Sequence, residues 1–350
     1  MSTVPPPWNP EMFARRRPHL AVRGRVLGAM RRFFEERAFV EVDTPALQVS
    51  PGMEPHLQAF ATDLQGPHPD DRCRLYLHTS PEFAMKKLLV AGVPRLYQLA
   101  HVFRNGERSG THSPEFSMLE WYRAGEGYRA LIADCEELVR ASAEAAGRQR
   151  FVFRDMECDP FQPWRVLTVQ DAFLEYAGID LLATFDGTHD PDPAPLAAVA
   201  ERAGIRPHDG DRWEDIVFRV MFDRIEPHLG AGVPCVLTDY PVCMAALSRP
   251  KAEDPRLAER FELYACGLEL ANAFGELTDA AAQRARFEAD MDLKQRLYGE
   301  RFPVDEDFLA ALEHGMPESS GIAMGFDRLV MLCSGAESID EVLWLPVAGV

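Results

Sequence analysis

The sequence contains no CxxC pair, although seven cysteines occur among its 350 residues. An odd number of scattered cysteines argues against a disulfide framework and against a structural zinc site. Residues 1–17 lack the apolar core of a secretion signal, and no run approaches the ~18 apolar residues that a bilayer-spanning helix needs. These absences favour a reducing compartment, and we expect a cytoplasmic protein that has no membrane partner.

Basic residues are also in deficit, because 37 lysines and arginines stand against 55 acidic residues and give a net charge of −18. Such a field opposes nonspecific binding to nucleic acid or to anionic membranes, although it permits a local basic site. The 47% hydrophobic and 26% charged content is typical of a folded chain. A chain of this length can form one large domain or two modest ones.

We divide the chain into an N-terminal tail at 1–19 and one domain at 20–350 with a helical insertion at about 165–230. Strands are predicted in adjacent pairs, which favours an α+β fold with an antiparallel sheet flanked by helices. The supporting patterns are a helix at 20–37, a short strand within 38–47 that Pro45 ends or places at an edge, hairpin strands at 95–104 and 115–123, a helix at 128–147, a hairpin at 260–278 and a strand-to-helix turn at 320–334.

The stretch FRNGERSGTHSPEFSMLEW at 103–121 joins the two strands of the first predicted hairpin. Side chains alternate between the faces of a strand, so Phe116 and Tyr122 share one face together with Met118 and Glu120. A guanidinium such as Arg104 binds phosphate oxygens in a bidentate manner, and a flat phenylalanine ring stacks on a base. The alternative is an ordinary solvated hairpin that buries its phenylalanine.

Two acidic segments carry further candidates. In HTSPEFAMKKLLV at 78–90, Ser80-Pro81-Glu82 places a carboxylate at the start of a predicted helix, where it either partners the helix dipole or binds a substrate ammonium. In RFELYACGLELANAFGEL at 260–277, a tight turn at Ala265-Cys266 would bring Glu262 and Glu269 opposite each other. Paired carboxylates repel, and a divalent cation such as Mg²⁺ relieves that repulsion.

The segment SSGIAMGFDRLVMLCSG at 319–335 places glycines before an apolar helix. Gly321 and Gly325 permit close approach of a ligand to the backbone. Arg328 lies in the first turn of that helix, where a cation opposes the dipole. A nucleotide phosphate would justify this unfavourable position.

Taken in order, these segments resemble the catalytic core of class II aminoacyl-tRNA synthetases. AFVEVDTPAL at 38–47 is similar to motif 1 with Pro45, FRNGE…EF to motif 2, and GIAMGFDRL at 321–329 to motif 3. The resemblance covers about 20–345, and the three motifs in order are more specific than any one of them. It implies ATP as a substrate and formation of an acyl-adenylate.

Within the family, TSPE, HSPEFSMLEWYR and ELANAFGELTD resemble the lysyl branch, and in particular the lysyl-tRNA synthetase paralogs that act as elongation factor P–(R)-β-lysine ligases. Only about 20 residues precede the region of resemblance at about 20–345, and we expect these to be too few for the five-stranded anticodon-reading OB-fold of a lysyl-tRNA synthetase. The EWYR and ELAN phrases are typical of the paralog, as is Ala323 where synthetases have glycine. One methyl group would narrow the pocket and favour an amine on the β carbon.

The resemblance also implies roles for individual residues. Catalysis is assigned to Arg104, at the α-phosphate and the reacting carboxylate, and to Arg328, which with His112 binds the β- and γ-phosphates. Glu262 and Glu269 would hold Mg²⁺. The remaining nucleotide contacts fall to Asn105, Glu107, Ser113, Phe116, Glu269, Leu270 and Gly325, with Phe116 stacked on adenine. The amino acid pocket comprises Ser80, Pro81, Glu82 for the nearer amino group, Tyr122 and Glu276 for the ε-ammonium, Asn272 for the carboxylate, and Ala323.

Some positions depart from the family pattern. Gly106 stands where glutamate often follows Arg-Asn, Ser113 replaces a usual asparagine, and Ala273 replaces a usual glycine. These departures concern the fine adenine contacts rather than the phosphate or lysine contacts.

The resemblance further implies a homodimer built on motif 1, with elongation factor P as the acceptor. Arg15, Arg16 and Arg17 are a candidate docking surface, although exposed basic runs are commonly only solvated.

Three alternatives stay open. A synthetase-like core could charge tRNA with lysine, but the acidic balance opposes tRNA as an acceptor. A non-catalytic sensor or scaffold would not need both motif arginines and the lysine-site carboxylates. A free-standing adenylate-forming enzyme that acts on a small-molecule amine fits the same residues.

Overall fold

A computed structural model describes residues 6–68, 70–245 and 247–347. Strands β1 to β13 are Val40–Glu41, Leu47–Gln48, Phe60–Gln65, Arg72–Leu77, Arg95–Phe103, Glu115–Ala124, Phe151–Phe153, Met156–Cys158, Arg165–Thr168, Cys235–Thr238, Arg260–Ala265, Leu268–Gly275 and Ser319–Gly325. Helices α1 to α9 are Pro10–Glu35, Glu82–Val90, Arg129–Ala146, Val169–Ala172, Ala194–Arg202, Trp213–Val220, Ala280–Tyr298, Glu306–Gly315 and Phe326–Ser334.

The chain divides into two compact units. The first unit comprises residues 1–126, 141–147 and 278–350, and the second comprises residues 127–140 and 148–277. None of the helices within the described ranges has a stretch long and apolar enough to cross a membrane.

The first unit contains a sheet whose strands follow the order β1, β5, β6, β13. Strand β1 runs parallel to β5, whereas the β5–β6 and β6–β13 pairs are antiparallel. Helix α1 packs on one face, where Phe34 stacks on Tyr97 with ring centroids 4.2 Å apart and meets the edge of Trp121. The other face carries the Glu120 row and contacts Ser80, just before α2. A separate sheet has the order β2, β4, β3.

The second unit contains strands in the order β12, β11, β10, β9 and a small β7–β8 hairpin. Its β11–β12 and β10–β11 pairs are antiparallel, and β9 runs parallel to β10. Helices α4 to α6 and intervening π and 3-10 turns occupy the predicted helical segment. They enclose an apolar core that includes Phe173, Leu196, Trp213, Val217 and Ile225.

The α+β expectation with antiparallel sheet and flanking helices is confirmed by these strand pairings, and so are both predicted hairpins. The predicted helix at 128–147 appears as α3, and Gly147 follows it with φ +73°. The tail at 1–19 is wrong from Pro10 onward, because those residues begin α1. Asn9 caps that helix by accepting from the Glu11 amide at 3.0 Å. Residues 1–5 lie outside the described residues, and the single domain at 20–350 stays a prediction.

Candidate nucleotide and amino acid site

The β5–β6 hairpin provides a ladder of side chains on one face of the first unit's sheet. Because β6 alternates, Phe116, Met118, Glu120 and Tyr122 share this face. The register places Ala323 of β13 opposite Glu120 and leaves glycines opposite the neighbouring positions of that row. The ladder therefore changes from aromatic, through apolar, to acidic and phenolic along one strand.

Arg104 lies at the aromatic end of the ladder, beside Phe116 and directly after β5. Its guanidinium carbon is 5.3 Å from the centroid of the Phe116 ring, and its Nη1 is 3.9 Å from an oxygen of Glu107. The Arg104 Nε is buried and has no hydrogen-bond partner within the described residues. A buried donor without a partner is costly, so this N–H favours an acceptor supplied by a ligand. The structure brings the predicted cation and ring together.

His112 and Arg328 meet beside that loop. Arg328 Nη2 donates to His112 Nε2 over 2.8 Å, and His112 Nδ1 lies 2.7 Å from Ser109 Oγ. Burial lowers the pKa of His112, and the adjacent Arg328 charge lowers it further. A neutral imidazole that accepts at Nε2 and donates from Nδ1 satisfies both contacts. The two residues predicted to bind the outer phosphates therefore form one hydrogen-bonded group.

Helix α9 is fixed by a residue that the sequence did not single out. Asp327 is almost fully buried, forms an ion pair with Arg23 of α1 and accepts from the Ser117 amide of β6 at 2.7 Å. Arg23 also donates to Ser117 Oγ at 2.8 Å. These contacts attach the first turn of α9 to the back of the sheet. They thereby hold Arg328 beside the loop, although its position opposes the helix dipole.

The remaining predicted nucleotide contacts of the first unit lie in or near the same loop. The Asn105 amide donates to the Gln58 carbonyl at 2.8 Å, and the Asn105 side chain is exposed. Ser113 is buried. Gly325 is the residue before α9, and a Cβ added there would meet the Arg328 side chain at 3.5 Å.

The acidic end of the ladder forms a compact hydrogen-bonded cluster. Ser80 donates to Glu120 Oε1 at 2.5 Å, and Tyr122 donates to Glu120 Oε2 at 3.0 Å. Ser80 Oγ also accepts from the Glu82 amide at 3.0 Å, and Glu82 forms an ion pair with Lys86. Pro81 lies between them as the residue before α2. The predicted amino-group residues of the first unit therefore lie together.

Burial dominates the electrostatics of this cluster. Glu120 has no solvent exposure, and burial together with the nearby Glu82 carboxylate raises its pKa to about 8. Burial also raises the pKa of Glu82, which the charge of Lys86 counteracts and Glu54 reinforces. Buried carboxylates are costly without a cation. The cluster is therefore suited to bind an ammonium group.

The second unit carries the predicted metal ligands on one face of the β11–β12 hairpin. Glu262 Oε2 accepts from the Tyr240 and Tyr264 hydroxyls at 2.6 Å each, and Glu262 Oε1 accepts from Arg260 at 2.6 Å. Burial raises the pKa of both phenols, which keeps them protonated as donors. Glu262 is buried, whereas Glu269 is exposed.

The predicted direct opposition of Glu262 and Glu269 is wrong. The turn consists of Cys266 and Gly267, with φ +53° and +69°, rather than Ala265 and Cys266. A register shift after Leu263 then pairs Glu262 with Asn272. In this register Glu269 pairs with Tyr264, so the two carboxylates share a face but lie on diagonal positions.

The other predicted residues of the second unit have separate surroundings. Asn272 Oδ1 accepts from Arg260 Nε at 3.2 Å, so this amide is held by the same arginine as Glu262. Leu270 is buried. Glu276 is fully buried beyond β12, where it forms an isolated bridge with Ser248.

Glu120, Lys86 and Asp327 are the residues that sequence reasoning did not assign to the site. The alternation of β6 already placed Glu120 beside Tyr122, and a carboxylate on that row was a usable signal. Lys86 follows Glu82 by one helical turn, a spacing that permits an ion pair. The Asp327 contacts join segments more than two hundred residues apart, so no local pattern indicates them.

The sequence matches the family of class II tRNA synthetases (D, K and N) over residues 12–349. It is 39% identical over 326 residues to the elongation factor P–(R)-β-lysine ligase of Edwardsiella ictaluri (strain 93-146), covering 93% of this chain and 94% of that protein. The corresponding ligase of Klebsiella pneumoniae subsp. pneumoniae is 40% identical over 328 residues, with coverage of 93% and 94%.

Lysine–tRNA ligases are similar as well. The enzyme of Dehalococcoides mccartyi (strain CBDB1) is 39% identical over 326 residues, which are 93% of this chain but 63% of that protein. The fold, the order of the motifs and the match over nearly the whole sequence agree. The chain belongs to the class II tRNA synthetase family.

Proposed function

We propose that this protein activates a lysine-type amino acid, (R)-β-lysine, with ATP and transfers it to a lysine side chain of elongation factor P. The observation that carries the proposal is the near full-length match to proteins named elongation factor P–(R)-β-lysine ligase, 94% of their length at about 40% identity. ATP use follows from membership of the synthetase family.

The nucleotide is assigned to the aromatic end of the ladder, around Arg104 and Phe116. Arg104 contacts the α-phosphate and the reacting carboxylate, and its buried Nε supports this role because that donor has no partner within the described residues. His112 and Arg328 bind the outer phosphates, and Phe116 stacks on adenine. Asn105, Glu107, Ser113 and Gly325 complete the nucleotide contacts from the surrounding loop. The family resemblance also assigns Leu270 to the nucleotide.

The amino acid occupies the acidic end. Glu82 binds the amino group nearer the carboxylate, and Tyr122 binds the terminal ammonium. The family resemblance also assigns Glu276 to the terminal ammonium and Asn272 to the carboxylate. We add Glu120, whose burial and contacts with Ser80 and Tyr122 support a role in amine recognition. Ala323, opposite Glu120, narrows the floor of the pocket.

Mg²⁺ is assigned to Glu262 and Glu269. Carboxylate oxygens suit this ion, and Mg²⁺ commonly binds one or two carboxylates together with substrate phosphates. Glu262 accepts three hydrogen bonds from protein groups, so a carboxylate with about four acceptor positions keeps one for a metal. Within the described residues no cluster of three or more potential metal ligands occurs, which fits a site completed by the nucleotide. The bound ion would offset charge on the phosphates.

The reaction proceeds in two transfers. A carboxylate oxygen of the amino acid attacks the α-phosphorus of ATP in line, the bond to the bridging oxygen breaks, and pyrophosphate leaves. Arg104 stabilises charge that accumulates on the α-phosphate oxygens, and the loop holds the reactants in position. The neutral amine of the acceptor lysine then attacks the adenylate carbonyl, loses a proton, and AMP leaves with the electron pair of the broken C–O bond.

Lysine charging of tRNA is the second candidate, because lysine–tRNA ligases have equal identity to this chain. It shares the adenylate step and differs in the acceptor. The match covers a smaller part of those proteins, and the net charge of −18 opposes a long phosphate surface. We therefore favour the protein acceptor.

A homodimer and a cytoplasmic location also belong to the proposal. The dimer is inferred from the resemblance to motif 1, and exposed apolar side chains at Val40, Leu47 and Val49 support an interface around Pro45.

Arg15 and Arg17 are exposed on α1 and stay candidates for docking of the acceptor protein. Arg16 is instead buried, and it donates to the carbonyls of Leu343 and Pro7. The cytoplasmic location rests on the cysteine content.

The test is ATP–pyrophosphate exchange with α-lysine, (R)-β-lysine, ornithine and norleucine in parallel. We expect exchange with the lysine isomers, stronger with (R)-β-lysine, and little with norleucine, which lacks the terminal ammonium. Exchange that is equally fast with norleucine would refute the assignment of the acidic end.

A further inference from the structure

Helix α2 contains a lysine that is completely buried directly behind the amino-group cluster. Lys86 has no solvent exposure, and its Nζ is hydrogen-bonded to Glu82 Oε1 one helical turn away. The next residue, Lys87, is partly exposed and pairs instead with Asp305 and Asp307. A fully buried lysine is rare unless it has a specific partner.

The Lys86 ammonium donates to one oxygen of the Glu82 carboxylate, Oε1. Glu82 is connected to Glu120 through Ser80, whose hydroxyl accepts from the Glu82 amide and donates to the Glu120 carboxylate. Within the described ranges no donor is bonded to Glu82 Oε2. The side chain is therefore oriented by Lys86 and retains an acceptor for a ligand.

Several charged groups face this pair from other elements. Glu54, in the loop before β3, acts on Glu82, and its Oε2 would lie 2.9 Å from a Cβ placed on Gly52. Glu120 and the Tyr122 phenol approach from β6. Lys294 of α7 binds the carbonyls of Pro55 and Leu57 in the same loop and pairs with Glu300 at 3.6 Å. Glu82 thus interacts with two other carboxylates, the fully buried Glu120 and the half-buried Glu54.

Two nearby buried carboxylates each disfavour the ionised form of the other, and an adjacent ammonium favours it. An ionised carboxylate accepts more hydrogen bonds from an ammonium ligand than the protonated acid does. Lys86 is the buried cation beside this group, and the electrostatic effect of Lys86 reaches both Glu82 and Glu120.

We infer that Lys86 is a positioning residue for recognition of the substrate amine, which orients Glu82 through the buried ion pair and favours the ionised forms of Glu82 and Glu120. The inference rests on the proposed function, since it acts through residues assigned to the amino acid. It predicts that Lys86 influences the pH dependence of amino acid recognition rather than the nucleotide contacts.

The experiment measures kcat/KM for (R)-β-lysine in ATP–pyrophosphate exchange from pH 6 to pH 10 for wild type, Lys86→Met and Lys87→Met. Lys87→Met is the matched control, because it removes an ion-paired lysine from the adjacent position of the same helix. We expect the midpoint of the Lys86→Met profile to move up by about one pH unit or more. The midpoint of Lys87→Met and the KM for ATP in both variants should stay at the wild-type values.

Removal of one partner from a buried ion pair can prevent folding. Glu54→Gln therefore provides a second test with the opposite sign, because loss of a neighbouring negative charge should move the midpoint down. Lys86→Arg, which keeps the charge, should restore a profile closer to wild type than Lys86→Met.

The pH profiles of these variants test the role of Lys86, and exchange by the wild-type protein tests the proposed function. An unshifted profile in folded Lys86→Met overturns the inference, and so does an unshifted Glu54→Gln profile if Lys86→Met does not fold. An equal shift in Lys87→Met also overturns it, because the effect would then be general to the helix. Absence of exchange by wild type with any lysine isomer would instead refute the proposed function.

Discussion

Ala323 lies directly opposite Glu120 in the paired strands β13 and β6. Their side chains share one face of the sheet, so the Ala323 methyl group borders the buried carboxylate. Ala323 is partly exposed and packs against the cluster of Ala100, Val102 and Met118. This relationship places a single methyl group at the floor of the proposed pocket.

The first prediction concerns that methyl group. Ala323→Gly should raise the use of α-lysine relative to (R)-β-lysine, because the added space accommodates an amine on the α carbon. The measurement is the ratio of kcat/KM for the two isomers in ATP–pyrophosphate exchange. Ile322→Val removes one methyl group from the opposite face of the same strand and should leave the ratio unchanged. An unchanged ratio in Ala323→Gly would remove Ala323 from the specificity assignment.

The second prediction concerns the two arginines. Arg104→Ala and Arg328→Ala should each lower adenylate formation by at least ~10²-fold, which is the usual loss for a preorganised charge contact. The exposed Arg108 lies in the same loop as Arg104, so Arg108→Ala is the matched control and should retain exchange. Thermal unfolding verifies that the variants are folded. Wild-type exchange by folded Arg328→Ala would contradict the phosphate assignment.

The fold was largely accessible from the sequence because its signals are local and redundant. The alternation of 115–123 around one buried face predicted β6 and the shared row of Phe116 and Tyr122. The Asn9-Pro10 pair is a helix start signal that was available and not used, so the first helix was placed too late.

Other features depend on contacts that no local pattern carries. The register shift after Leu263 moved Glu262 opposite Asn272. A bulge of one residue leaves little trace in a sequence that remains apolar on both sides. Asp327 depends on Arg23, which lies in a helix near the other end of the chain. For Glu120, the row was predicted but the role was not, because the partner Ser80 comes from another segment.

The third prediction concerns pH. The pKa of Glu120 is raised to about 8 from its ordinary value of 4.5, chiefly by burial and next by Glu82. Below about pH 8 the empty site therefore favours the protonated acid, which accepts fewer hydrogen bonds from an ammonium. We expect kcat/KM for (R)-β-lysine to rise as pH increases through about 8. Glu120→Gln should lower this parameter and abolish the corresponding part of the pH dependence.

The raised pKa of Glu120 also affects the free energy of unfolding, which should decrease as pH rises, whereas kcat/KM should increase. Because the folded protein binds this proton more tightly than the unfolded chain, the contribution of Glu120 is greatest below about pH 4.5. It is lost as pH rises toward about 8. The difference in unfolding free energy between Glu120→Gln and wild type, measured by urea denaturation, should therefore change in favour of the variant as pH rises over this range. A difference that is constant from pH 5 to pH 9 would contradict the raised pKa.

The fourth prediction concerns assembly. Light scattering at micromolar concentration should give twice the chain mass of 39.3 kDa. Leu47→Glu should weaken the dimer, because Leu47 is 43% exposed close to Pro45 and a charge there would be buried at the interface. Val152→Glu is the control, since Val152 is similarly exposed, at 48%, on the small β7–β8 hairpin. A wild-type monomer would refute the dimer.

The identity of the acceptor distinguishes the proposed ligase most sharply from a tRNA-charging enzyme, because both form the same adenylate. The direct measurement supplies wild-type protein with ATP and radiolabelled (R)-β-lysine, and offers elongation factor P and lysine tRNA in separate reactions and together. An elongation factor P preparation whose lysines are blocked by acetylation is the control for adventitious labelling. We predict stoichiometric, alkali-resistant label on elongation factor P and none on tRNA. Alkali-labile label on tRNA with none on elongation factor P would contradict the proposal.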